Sequence, residues 1–380
     1  MGPRLLFTFI MVICGALPVK ASATESAKRI EWSGYFDSYY SYNFNRPAPV
    51  TPPTATSPSA AAIPVGNNTY RYYDNYHNQL TLNLIELTVK AQLEDVSLLT
   101  DLDFGTFADL NAATSSTNGT TVDETSKHVG QAVLTYRPAS APRFIFEIGK
   151  MYTHVGLETV KAKDNWQYSR STLMAYGMPF WHTGVRLGYD LVPEKLSGSL
   201  YIYNGWNSIY ENNSSKTIGV QIKYLPSSDV VLVYNFIGGP ERSKNDGDWK
   251  VVHDLNGTIT LLPKWQLAFN VLTGSEKNAV NNNTQNAEWY GGSVAAKYLV
   301  SEMSYISPRF EIYRDQGGHT LGASSQTVQS GTLTYGVKPS PSFEVRGEAR
   351  YDSSNQSVFV DNNGMSNSQT TLLAALLFQI

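Results

Sequence analysis

Six histidines, His77, His128, His154, His182, His253 and His319, are the first residues to test for chemistry. None falls in a metal-type spacing such as H-E-x-x-H, and no G-x-S-x-G nucleophile elbow occurs. His182 with Ser169 and Ser171 is the one suggestive group, and nothing in the pattern orients the imidazole. Cys14 is the single cysteine and lies in the N-terminal apolar run. The rest of the chain therefore has no thiol, no disulfide and no cysteine-ligated metal. Gly291-Gly292 and Gly317-Gly318 read as turns or bulges, not as phosphate cradles. No cofactor is expected.

What recurs is alternating charge. In FEVRGEARYD, Phe343, Val345, Gly347, Ala349 and Tyr351 share one parity, and Glu344, Arg346, Glu348 and Arg350 share the other. Successive strand side chains point to opposite faces, so this segment has an oily side and a ladder of charges. Asp101 and Asp103, Glu147, Arg186, Lys223, and Arg309 with Glu311 sit in similar alternations. A charge facing lipid near the midplane would cost about 2–4 kcal/mol for Arg or Lys. These eleven residues are therefore expected to face inward, as the lining of a lumen. Their mixed signs predict weak ion selectivity.

The elements that must position them are strands. The composition is rich in Tyr (24) and Trp (7), and long helical periodicity is nearly absent. Met1 to Ser26 begins with a sparse positive region at Arg4, then the apolar run Leu5 to Leu17 and the small residues Ala21-Ser22-Ala23. This reads as a secretory signal peptide over 1–23, with an exported chain over 24–380. Removing Arg4 and Lys20 leaves 27 basic residues against 32 acidic ones, a net charge of −5, which argues against nucleic-acid binding. Mean hydropathy is −0.26, and no spanning-length apolar run follows the signal. Hydropathy alone would suggest a soluble secreted protein.

Alternation argues otherwise. About sixteen segments are expected: Ile30–Phe44, Gln79–Leu93, Val96–Gly105, Gly130–Tyr136, Arg143–Tyr152, Gly184–Leu191, Leu196–Asn204 and Thr217–Tyr224. Val230–Ile237, Lys250–Leu261, Trp265–Leu272, Glu288–Val300, Ser304–Tyr313, Thr327–Val337, Phe343–Asp352 and Thr370–Ile380 complete the set. In the second, Leu80, Leu82 and Leu84 share a face, and then the apolar set moves to Ile85, Leu87, Val89 and Ala91, which predicts a β-bulge. Connections alternate between tight turns and the long polar stretches 45–75, 106–127, 153–181, 205–216, 238–249, 273–287, 314–326 and 353–369. That alternation, with an inward polar and outward apolar face, specifies an all-β fold: a transmembrane antiparallel up-and-down β-barrel of about sixteen strands, closed because lipid leaves no unpaired edge. Trp32, Tyr136, Tyr152, Tyr189, Tyr224, Trp265, Tyr298 and Tyr335 are candidates for interfacial girdles.

The segments IGKMYTHVGLE (148–158), NWQYSRSTLMAYGMPFWHTGVRLGYD (165–190), NGWN (204–207) and IGVQIKYLP (218–226), with Gly238-Gly239-Pro240-Glu241, resemble the OmpL-like β-barrel porin family. The resemblance implies an outer-membrane barrel of Gram-negative-type bacteria with pore activity, and gives architecture more securely than substrate. The Pro/Ala/Thr-rich insert at 46–64 departs from a core family feature and, with 45–75 as a whole, is expected as an external loop. A final aromatic residue is common in such barrels; here Ile380 ends the chain, with Phe378 two positions earlier.

The expected function is passive diffusion of small hydrophilic solutes through a charge-lined aqueous lumen. Segment 153–181, with Lys161, Lys163, Asp164, Arg170 and His182, is the candidate constriction loop, an external loop packed on the rim being the alternative. Expected partners are outer-membrane lipid and lipopolysaccharide, the barrel-assembly machinery, the solutes and further copies of the chain. A non-conducting surface scaffold or adhesin, and a lipase-type barrel enzyme, are the competing readings.

Overall fold

The computed structural model describes residues 29–48, 68–113, 126–322 and 324–380. The expected signal segment and most of the 46–64 insert lie outside the described residues. The strands on the first half of the ring are β1 (Arg29–Asn43), β2 (Gln79–Leu93), β3 (Val96–Phe104), β4 (Val129–Tyr136), β5 (Phe144–Tyr152), β6 (Trp181–Val192), β7 (Leu196–Tyr203) and β8 (Thr217–Ser227). The second half comprises β9 (Val230–Pro240), β10 (Trp249–Leu262), β11 (Trp265–Val280), β12 (Gln285–Ser301), β13 (Ser304–Asp315), β14 (Gln326–Ser340) and β15 (Phe343–Ser354). A short hairpin, β16 (Phe359–Asp361) with β17 (Gly364–Ser366), interrupts the last connection before β18 (Ser368–Gln379). Two short helices, α1 (Thr106–Ala113) and α2 (Thr172–Gly177), lie in connections.

Each barrel strand pairs antiparallel with its sequence neighbour, and β18 returns to β1, so sixteen strands close. Closure is in register from Tyr35 opposite Gln379 to Asn43 opposite Thr371. Both ends of the barrel chain lie at the end with the tight turns, the periplasmic end in outer-membrane barrels. The outer surface carries Leu80, Ile148, Leu255, Val294, Phe310, Leu333 and Leu376, all exposed. In water such a surface would be a large unpaired apolar patch, whereas in lipid it is matched. Around the turn end, exposed Trp32, Tyr189, Tyr224, Trp265 and Tyr335 form an aromatic rim. Trp265 packs on Tyr298 and Phe144 on Tyr189, each at 4.6 Å between ring centroids.

Four sequence expectations are corrected in detail. The bulge in β2 falls where Asp37 pairs Leu84 but Ser38 pairs Leu82, so Asn83 is the extra residue. Leu84 therefore turns inward and is fully buried, leaving the outward face shared by Leu80 and Leu82. The expected loop 273–287 is mostly strand, because β11 and β12 run past the lipid level where no outward apolar set marks their continuation. Tyr152 is no girdle residue; its hydroxyl lies 3.4 Å from Asp103 in the interior. His182 belongs to β6, not to the connection before it.

Gly149 is required by its backbone. Its φ of +142° is unfavourable for L-residues, and a Cβ there would lie 1.9 Å from the Ala132 carbonyl oxygen of the neighbouring strand.

Candidate functional site: an infolded segment inside the barrel

The connection 153–180 does not stand outside the barrel. His154 enters over β8 and β9, with its Nε2 3.0 Å from the Phe236 carbonyl and its Nδ1 accepting from the Tyr203 hydroxyl at 3.2 Å. Burial pulls the His154 pKa down to about 4, so the ring is neutral at pH 7. Next, the Gly156 amide donates to Asp254 (3.1 Å) and the Leu157 amide to Asn270 (3.3 Å) on β10 and β11. Asp254 also accepts from Asn235 and Asn256 at 2.7 Å each, and from Asn270.

The chain then crosses the lumen. Lys161 reaches the opposite wall, donating to Asp101 on β3 at 2.7 Å and to Glu86 on β2. In a sixteen-strand ring, β10 and β2 are diametrically opposed. The return path runs up the wall made by β15, β14 and β13. There Arg346 donates to the carbonyls of Ala162 (2.8 Å) and Gln167 (3.2 Å). Glu348 accepts from the amides of Tyr168 (2.7 Å) and Ser169 (3.1 Å). Arg350 donates to the Arg170 carbonyl at 2.6 Å, and Glu311 accepts from the Thr172 amide at 2.6 Å. Arg309 binds the Ser169 carbonyl at 2.8 Å and the Glu158 carboxylate. Helix α2 follows, capped by the Ser171 hydroxyl accepting from Met174, and the Gly177 carbonyl accepts from the Trp289 indole at 3.0 Å.

The alternating charges of FEVRGEARYD thus act as one surface. Each side chain on that parity is buried, and each bonds to the backbone of the infolded segment or to a neighbouring charge. Arg346 pairs Glu344 at 2.6 Å, and Arg350 pairs Asp352 at 2.7 Å and Glu311 at 3.0 Å. Ionised hydrogen bonds of this kind are the strong class, and buried charges persist only when so paired. Asp101 and Asp103 are also buried, on the wall facing Lys161.

Elsewhere the wall is more open. Glu147 and Arg186 are half-buried and pair at 3.0 Å, and Lys223 is exposed. Of the loop residues, Lys163 and Asp164 pair with each other at 3.2 Å, both partly exposed. Arg170 is buried, donates to the carbonyls of Tyr168 and Val160, and stacks over Tyr73 at 4.7 Å. His182 faces the Gly205 carbonyl (2.9 Å) and the Thr153 hydroxyl (3.1 Å) and stacks on Tyr203, so its ring nitrogens engage neither Ser169 nor Ser171.

Sequence reasoning missed a second infolded piece. Residues 68–76 of the first long connection pack inside the loop end. Buried Arg71 bridges Asp74 (2.6 Å) and Asp352 (2.9 Å). The change from the Pro/Ala/Thr-rich insert to NTYRYYDNYHN was the available signal: bulky aromatic and amide residues can pay for ordering, and small ones cannot. Asp37, which accepts from the Tyr168 hydroxyl at 2.7 Å, and Asp254 were also missed, since neither stands in an alternating run of charges along its strand.

Two cavities flank the crossing segment. One, of about 510 Å³, opens at the turn end and includes Glu86, Asp101, Lys161 and Lys163. The other, of about 630 Å³, opens at the loop end and includes Tyr176, Trp206, Glu241, Lys250 and Glu276. Among the described residues no group of three metal-type ligands converges.

Residues 29–380 match the family described as "Putative beta-barrel porin-2, OmpL-like". The chain belongs to that family. This porin is accordingly an outer-membrane β-barrel of the bacterial envelope. Its fold is similar to the outer-membrane channel DcaP of Acinetobacter baumannii, at 12% identity and a TM-score of 0.60, covering 94% of this chain and 99% of that one. It is also similar to an anion-selective porin from Comamonas acidovorans, at 8% identity and a TM-score of 0.60, covering 93% and 100%. A third similar structure is a loop L8 deletion mutant of OmpT, an outer membrane protein of Vibrio cholerae, at 11% identity and a TM-score of 0.59, covering 93% and 100%. At such identities the likeness concerns the fold. No curated protein matches the sequence.

Proposed function

We propose that the porin passes small hydrophilic solutes by passive diffusion, and that segment 153–181 is the constriction that sets size and charge preference. The observation that carries this reading is the path of that segment: it crosses between β10 and β2, is bonded to both sides, and has an open cavity above and below it. With β13 to β15 covered by the segment, half-buried or exposed charges remain on the β4 to β8 side of the wall. Glu147, Arg186 and Lys223 there are the residues proposed to meet permeating ions; the buried charges Glu311, Arg346, Glu348 and Arg350 hold the constriction in place. The field at the narrowing then comes from few free charges, which fits weak selectivity.

The reading is non-enzymatic, with lipopolysaccharide and membrane lipid around the apolar belt, assembly by the outer-membrane insertion machinery, and self-association into oligomers as further parts of it. Single-channel recording of the purified barrel tests it. Stepwise conductance that falls as the size of an added neutral polymer drops below the bore supports it, and silent bilayers with correctly folded, heat-modifiable protein refute it.

A further inference from the structure

The loop-end cavity has a composition that a passive vestibule does not need. Its volume of about 630 Å³ lies within the range of roughly 300–1,000 Å³ typical of small-molecule sites. The infolded segment forms its floor at Tyr176, so a solute arriving from the loop side meets this cavity before the narrowing. One part of its lining is aromatic, with Trp206 and Tyr176 only half-buried. The other part is ionic and internally neutralised. Glu276 receives Lys250 and His319 at 3.0 Å each, with Arg242 at 3.8 Å. Arg242 also pairs with Asp248, and Lys250 stands 4.6 Å over the Trp206 ring.

This combination selects a chemistry. A charged solute would have to break one of these pairs to gain a partner, leaving another buried charge alone. A hydroxyl can accept from Lys250 or Arg242 and donate to Glu276 or Glu241 without moving any charge. Trp206 and Tyr176 are only half-buried, and the ring surface that Lys250 does not cover suits the flat C–H face of a pyranose, which buries apolar area on one side and keeps its hydroxyls at the edge. We infer that the vestibule over Tyr176 and Trp206 is a binding site for neutral saccharides of about disaccharide size. This deepens the porin reading and rests on it for its biological sense.

The test is a titration of the detergent-solubilised barrel with sucrose and raffinose, followed by tryptophan fluorescence and equilibrium dialysis, beside current recordings with the same sugars. Saturable binding is expected, with current interrupted from the loop side. Trp206→Ala should weaken sucrose binding roughly tenfold, and Trp206→Phe, which keeps a ring, should restore part of it. Tyr210→Ala, in the same connection but 71% exposed, should bind as the native protein does. Heat-modifiable mobility reports folding of each variant. Glu276→Gln removes the carboxylate that holds Lys250 at 3.0 Å and should add saturable binding of succinate that the native barrel lacks. Conducting barrels whose current responds to sucrose only as it does to a polyethylene glycol of equal size, with no saturation in dialysis, overturn the inference and leave the porin reading standing. Saturable binding of succinate rather than sucrose by the native barrel also overturns it. Absence of conductance counts against the porin reading alone, since dialysis still decides binding.

Discussion

Lys161 is the point at which the crossing segment is fastened to the far wall, and its removal has a calculable consequence. Its ammonium is buried between Glu86 and Asp101, which are 5% and 1% exposed. Replacing Lys161 with Met leaves two buried carboxylates without their cation, and breaking a buried pair in this way costs about 3–5 kcal/mol. Each 1.4 kcal/mol is tenfold, so docking of residues 159–164 should weaken by roughly two to four orders of magnitude. The rest of the segment keeps its bonds to Arg346, Glu348, Arg350 and Glu311, so the release is local. The turn-end cavity also loses one positive charge beside two negative ones. In bilayers under a salt gradient, Lys161→Met should show larger and noisier unit conductance and a reversal potential displaced toward that of the cation. Hydrogen exchange at 159–164 should rise, and the triple variant adding Glu86→Gln and Asp101→Asn should return selectivity toward the native value. Unchanged reversal potential together with unchanged exchange would refute the reasoning.

Further expectations concern the wall, the backbone and pH. Arg350→Ala removes a guanidinium bonded to Asp352, Glu311 and the Arg170 carbonyl; it should destabilise the barrel by about 3–5 kcal/mol, read as a lower temperature of the heat-modifiable shift. Exposed Lys223→Gln should leave that temperature alone and move selectivity modestly toward cations. Gly149→Ala should impair assembly, because strand β5 cannot hold φ +142° with a Cβ directed at the Ala132 oxygen; a normal yield of heat-modifiable barrel would contradict it. Glu241, just beyond β9, is pushed up to about 7 by burial, against hydrogen bonds from the Thr217 hydroxyl and the Trp206 amide. Its folded pKa lies above its unfolded one, so the stability it contributes is full below about 4.5 and is lost as pH rises through about 7. Protease sensitivity of the 205–216 connection should therefore increase between pH 5 and pH 8, and Glu241→Gln should flatten that dependence.

Much of the barrel was legible because its outward face is apolar strand after strand, and period-two alternation survives wherever lipid enforces it. It faded where β11 and β12 extend beyond the lipid level, since TGSEKNAVNNNTQNAE has no apolar face to mark. The parity slip in β2 located the bulge, but not which residue it turns; Leu84 was grouped on one face with Leu80 and Leu82 because a leucine on that parity gives no other signal. The inward charges were legible as inward for the same reason. Their partners were not: the contacts of Arg346, Glu348 and Arg350 with residues 162–170 span about 180 positions of sequence, and no local pattern encodes a backbone carbonyl as the acceptor. His182 was grouped with the preceding loop because MPFWHT lacks alternation, the strand there being buried on both faces by the loops around it.

The most direct test of the account is whether small uncharged solutes cross a membrane that contains only this protein. Liposomes carrying the purified, heat-modifiable barrel should swell in isosmotic small sugars, with rates that fall steeply as solute size increases and that rise in Lys161→Met. Vesicles that admit no sugar at any size, with the folded barrel verified in the same membranes, would contradict the claim that the infolded segment narrows a water-filled passage.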